Sequence, residues 1–279
     1  MGGTIGYVWP IIALLTAGLL AGFAAGLFGI GGGFVVVPVL ITTLPLLGGD
    51  ASEVAHVAIA TSLATIIITS LRSVLAHARR GAVDFQTIKV WSPWIVMGVG
   101  IGIMIAARIP GTVLAFVFGV GVIIMAVHFL FPFLSGKTVG DQMPRGGLRV
   151  AIAGSVGAFS AMLGIGGGTI VTIVMTLCGR TIHNAIATAA GFGCVIAIPG
   201  MIGFMIIGWG QPGLPFGSLG YVNIPAAIAI TSTSIITAPL GVAVAHRLDQ
   251  AILKRVFGIY LIFVGILMIR NALSLQPPI

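Results

Sequence analysis

Apolar stretches of about 20 residues recur along this chain, divided by short polar or glycine-rich breaks. At about 1.5 Å per residue, each is long enough to cross a hydrocarbon core about 30 Å thick. The runs lack the period-two alternation of barrel strands, so they predict helices. Long helices are predicted at about 52–79, 86–107 and 111–133, and again at about 181–208, 221–246 and 250–271. Ahead of each trio come two shorter legs, at about 10–28 and 34–47, then at about 149–163 and 169–178.

The same phrases occur twice in the same order. Gly29-Ile30-Gly31-Gly32-Gly33 is answered by Gly164-Ile165-Gly166-Gly167-Gly168. His56-Val57-Ala58-Ile59-Ala60-Thr61 is answered by His183-Asn184-Ala185-Ile186-Ala187-Thr188, and the segment from Gly81 to Phe85 by that from Gly220 to Ile224. The chain therefore reads as one membrane domain, 1–279, made of a first repeat (9–133), a polar linker (134–147) and a second repeat (148–272). From Arg149 to Gly164 is about 22 Å of helix, and Thr169 to Cys178 returns only about 15 Å. Each glycine-divided pair is thus predicted to be a re-entrant hairpin, with two short spanning helices as the alternative of equal parity.

Composition agrees with the pattern. Hydrophobic residues make up 58% of the chain and charged residues 6%, too few to cover a water-facing surface. The basic residues, net charge +8, scatter among loops and form no nucleic-acid patch. They orient the chain instead. With the linker (Lys137, Arg145, Arg149) in the cytoplasm, eleven of the thirteen basic residues fall inside, including Arg72, Arg180 and Arg247, while Arg108 and Arg270 lie outside. That distribution requires an odd number of crossings per half, so the two copies are predicted to sit upside down relative to each other. The fold class is therefore an all-α polytopic membrane protein of two inverted repeats.

Broken, glycine-opened helices in corresponding places of two halves point to a transporter's binding site. Non-helical backbone at membrane depth is tolerated where protein or a water-filled cavity satisfies it. Gly31, Gly32 and Gly33, with Gly166, Gly167 and Gly168, would present unpaired N–H groups at helix starts, a geometry suited to an anion. Polar capacity near them comes from His56, Thr61, Ser62, His183, Asn184 and Thr188, which either contact a ligand or bond the protein's own backbone. Gly18, Gly22 and Gly26, four apart, read as a helix–helix contact, and such faces also hint at a symmetric homodimer. Cys178 and Cys194 have no metal-ligand spacing, no nucleotide-binding loop is present, and no paired carboxylates or Ser-His-acid set occur. No metal, cofactor or catalytic role is expected.

The doubled Gly-x-Gly-Gly-Gly turn, the apolar stretch carrying Pro38, and His-x-Ala-Ile-Ala-Thr-Ser from His56 to Ser62 resemble the TauE/SafE family of sulfite and organosulfonate exporters. The resemblance covers essentially the whole chain. It implies a carrier in a prokaryotic-type inner membrane, embedded in lipid, for small sulfur-containing anions such as sulfite, sulfoacetate, taurine-derived products or thiosulfate. Ile173 stands where the first copy has Pro38, and Ala189 where it has Ser62, so the half-sites differ chemically. Alternating access by two halves is the leading expectation. A channel for a small anion or neutral solute is the alternative.

Overall fold

A computed structural model describes residues 3–131, 140, 142–245 and 250–274. Ten α-helices account for most of them. The first repeat supplies α1 (Gly3–Phe28), α2 (Gly33–Thr43), α3 (Val54–Ala78), α4 (Phe85–Ala106) and α5 (Gly111–Leu130). The second supplies α6 (Gly146–Leu163), α7 (Gly168–Leu177), α8 (Ile182–Ile207), α9 (Ile224–Ala245) and α10 (Gln250–Ser274). A 3-10 turn, Leu44–Leu47, extends α2, and a two-residue hairpin precedes α9. In that hairpin β1 (Ser218–Leu219) pairs antiparallel with β2 (Val222–Asn223). Residues 134–139 and 141 of the linker lie outside the described residues, and so does Arg247.

Among the described residues, eight helices are long and apolar enough to cross a membrane, and the chain is a multi-pass membrane protein. The legs of each glycine-divided pair are unequal, and α6 is longer than the 149–163 leg expected from the sequence. Residues Val8–Phe28 of α1 and all 18 of α6 qualify as spans, whereas α2 and α7 have 11 and 10 residues, about 16 and 15 Å. The α6 helix gains its length because it begins at Gly146, before Arg149.

The halves interlock. The first helix of each half packs along the fourth helix of the other, α1 on α9 and α6 on α4. Helix α3 packs against α8 at the centre, and α5 against α10. Exchanging the halves maps these principal contacts onto themselves. Small residues permit the closest of them. A side chain at Gly18, Gly22 or Gly26 would strike the backbone carbonyls of Ile230, Ser234 and Ala238 on α9. Gly157 on α6 is pressed in the same way against Ile95 on α4. The glycine face of α1 is therefore filled from within the chain, so it offers nothing to a second copy. Helix α3 is the most enclosed span, with 78% of its apolar window buried. Its alanines (Ala55, Ala58, Ala60) let it sit there.

Buried cross-braces join the halves. Thr61 Oγ1 on α3 accepts the N–H of Asn223 at 2.9 Å, and Thr188 Oγ1 on α8 accepts the N–H of Asp84 at 2.9 Å. Asp84 and Asn223 occupy equivalent places, and each caps its own helix. Asp84 Oδ1 accepts from Thr87 N (2.9 Å), and Asn223 Oδ1 accepts from Ala226 N (3.0 Å). A threonine of one half thus satisfies the backbone donor of the residue that starts a helix of the other.

Candidate functional site: two opposed glycine turns

The two glycine turns meet at the centre of the bundle. Gly29, Gly31 and Gly32 have φ of 67°, 76° and 82°, and Gly164 and Gly167 have 61° and 66°. These left-handed conformations reverse the chain within a few residues, which a Cβ would oppose. Gly32 and Gly167 stand immediately before α2 and α7, without a side-chain cap. The first N–H groups of both short helices therefore point into the buried centre, and both positive dipole ends converge there.

The contact is backbone against backbone. A Cβ at Gly33 would collide with the carbonyl oxygen of Gly164, and one at Gly168 with that of Gly29. At Gly31 a Cβ would lie 3.5 Å from the Cα of Gly166. Ile30 and Ile165 between the glycines are buried, and Ile66 of α3 packs against Gly31 and Gly166 while Ile196 of α8 packs against Gly167. All six glycines expected from the sequence are thus brought together.

The polar residues expected beside them take separate roles. Ser62 Oγ donates to the Gly164 carbonyl at 2.8 Å, so α3 of one half holds the turn of the other. Thr69 Oγ1 donates to the Gly31 carbonyl at 3.0 Å. Thr61 and Thr188 are the cross-braces, away from the turns. Asn184 Nδ2 donates to the Ala82 carbonyl at 2.9 Å. The two histidines diverge. His183 is exposed at the start of α8. His56 is buried, stacks on Tyr221 (ring centroids 5.0 Å), and its Nε2 donates to the Ala106 carbonyl at 3.1 Å. Tyr221 O–H in turn donates to Glu53 Oε2 at 2.8 Å, and burial together with that carboxylate pushes the phenol well above its ordinary value. Neither histidine touches the glycine turns.

Three hydroxyls that sequence reasoning passed over are near the second turn. Ser160 Oγ lies 2.9 Å from where a Cβ of Gly167 would stand. Thr169 and Thr172 follow on α7, and the hydroxyl oxygens of all three are buried with no hydrogen-bond partner. Threonines in helices ordinarily bond the carbonyl four residues back, as Thr176 does to Thr172 at 2.9 Å. Unpaired buried hydroxyls cost about 1–3 kcal/mol each, which a ligand at the turn would recover. The signal was present in the sequence: Thr169, Thr172 and Thr176 share one helical face, where the first copy has Phe34, Val37 and Ile41.

A family profile described as "Sulfite exporter TauE/SafE" matches residues 14–268. The chain belongs to the TauE/SafE family. It is 36% identical over 257 residues to a "Probable membrane transporter protein" of Haemophilus influenzae, covering 92% of this chain and 97% of that one. A "Probable membrane transporter protein MJ0441" of Methanocaldococcus jannaschii is 24% identical, over 92% of this chain and 94% of that one. "Probable membrane transporter protein YunE" of Bacillus subtilis is 27% identical, over 91% and 95%. No solved structure matches. Membership of the TauE/SafE family, with relatives of this kind along nearly the full length, makes this chain a membrane transporter.

Proposed function

We propose that this TauE/SafE protein is a secondary transporter of the inner membrane for small sulfur-containing anions, sulfite, thiosulfate or short sulfonates such as sulfoacetate. The observation that carries the reading is the meeting of two helix N-termini at glycine turns beside unpaired, buried hydroxyls. Backbone N–H groups and hydroxyls are the donors that an oxyanion needs, and the turns, packed backbone against backbone here, part to admit it. In this reading Gly31–Gly33 and Gly166–Gly168 bind the anion with Ser160, Thr169 and Thr172. Ser62, Thr61 and Thr188 act as positioning groups, and His56, His183 and Asn184 shape the helix starts around them. The two halves are inverted repeats and alternate access by parting the turns from one face and then the other.

The test exploits the unpaired hydroxyls. Thr169→Val and Thr172→Val remove a hydroxyl with no hydrogen-bond partner in the protein, so thermal stability should hold or rise. Affinity for sulfite or a short sulfonate in proteoliposomes should fall about 3- to 30-fold, equal to losing one contact of about 1–2 kcal/mol. Unchanged affinity in both variants would remove these residues from the site. Saturable uptake with counterflow of labelled substrate is expected of a carrier, and linear flux without counterflow would make it a channel.

A further inference from the structure

A cavity of about 310 Å³ opens where the start of α4, the residues just before α6, and the α7–α8 turn meet. Arg145, Arg149, Arg180, Asp84 and Gln142 line it, with Trp91 as an apolar wall. Three guanidinium groups thus face one carboxylate. That carboxylate is already committed: Asp84 Oδ1 accepts from Thr87 N at 2.9 Å, and Oδ2 accepts from Thr87 Oγ1 at 2.7 Å. Among the described residues none of the three arginines forms an ion pair within 4.0 Å. The Nε of Arg149 is buried and has no hydrogen-bond partner. A buried, unpaired guanidinium N–H is costly unless something charged completes it.

Ordinary loop cations explain basic residues at a membrane face, but they do not explain a half-buried arginine on a cavity wall whose Nε is buried without an acceptor. The cavity is also one-sided. In the register of the repeats, Arg145 and Arg149 correspond to Pro10 and Leu14, and Arg180 corresponds to Glu53. The opposite face therefore lacks this basic set. Arg149 lies in the first turn of α6, which ends at the Gly164 turn, and Arg180 lies in the loop after α7, which starts at the Gly167 turn. Asp84 on the cavity wall is tied to α8 through its N–H bond to Thr188.

We propose that this cavity is a second oxyanion site, separate from the glycine turns. It holds a sulfite-, sulfonate- or phosphate-type group between the forks of Arg149 and Arg180. It rests on the reading of the chain as an anion transporter, for which it is the waiting position of substrate on that face. A phospholipid headgroup carries the same chemistry and is the other source of such a group.

Calorimetric titration of the purified, detergent-solubilised protein with sodium sulfite, against sodium chloride at matched ionic strength, tests the site. Arg149→Gln and Arg180→Gln should each weaken sulfite binding about tenfold or more, the scale of losing one charge-assisted pair. Arg149→Lys, which keeps the charge without the fork, should give an intermediate loss and serves if the glutamine variant fails to fold. Arg270→Gln, exposed elsewhere, should change nothing. Repeating the titration in nanodiscs of phosphatidylcholine, with and without phosphatidylglycerol, separates the sources. Competition by phosphatidylglycerol that Arg149→Gln abolishes assigns the site to a headgroup, and no competition assigns it to the free anion. Equal sulfite affinity in wild type and all arginine variants would overturn the proposal, and so would full displacement by chloride. Transport failing for every sulfur anion while this binding persists would instead defeat the transporter reading.

Discussion

A methyl group at Gly168 tests whether the two glycine turns form one shared contact. Gly168 begins α7 with ordinary helical backbone, so alanine there carries no conformational strain. Its Cβ, however, points into the carbonyl of Gly29, with Ile30 Cα a further 2.8 Å neighbour. To restore ordinary contact the turns must part by about 1 Å or more, because backbone atoms cannot rotate away as a flexible side chain does. Overpacking of this kind costs about 1–3 kcal/mol, and the better helix propensity of alanine returns at most about 1. A net loss of about 1–2 kcal/mol is expected, read as a lower thermal midpoint in one fixed detergent, together with reduced transport of sulfite. Gly33→Ala meets the Gly164 carbonyl across the same contact. One separation relieves both collisions, so the double variant should lose little more than either single variant. Gly100→Ala is the control: no atom lies within 4 Å, and stability should be unchanged or rise by about 0.5–1 kcal/mol. Additive losses in the double variant, or wild-type stability and transport in Gly168→Ala, would refute the shared contact.

Thr61→Val and Thr188→Val should each lower stability by about 1–3 kcal/mol by leaving the N–H of Asn223 or Asp84 without its acceptor, while serine at either place should be tolerated; thermal unfolding of the purified variants measures this. Asp84 titrates below its ordinary value of 3.8. Desolvation raises it, but the Thr87 N–H and hydroxyl and the nearby Arg180 together outweigh that. Because its folded value is depressed, its contribution to stability is present above pH 3.8 and fades as the pH falls below it. Asp84→Asn should flatten the acid limb of the stability profile, and an unaltered limb would contradict the cap. In a background without Cys178 and Cys194, a cysteine at Gly81 should label from the cytoplasm and one at Gln211 from outside. Labelling of both from one side would sink the inverted arrangement.

How much was legible in the sequence follows from the range of the forces involved. Hydrophobic runs and glycine breaks are local, and they set the number, order and approximate limits of the ten helices; α2, predicted at about 34–47, is observed at Gly33–Thr43 with its 3-10 extension to Leu47. The doubled motif marked the two turns, because only glycine accepts the left-handed backbone found at Gly32 and Gly167. Only the tertiary structure decided what those elements do to one another. Thr61 and Ser62 are neighbours in a single motif, yet one braces Asn223 and the other holds Gly164, since adjacent helical positions point about 100° apart toward different helices. His56 and His183 are equivalent in sequence, but one is buried against Tyr221 and the other exposed, because the first half has Ala82 where the second has Tyr221. Local pattern reads the capacity of a side chain to bond. Which partner takes that bond depends on helix pairs distant in sequence, and these were fixed only when the two halves interlocked.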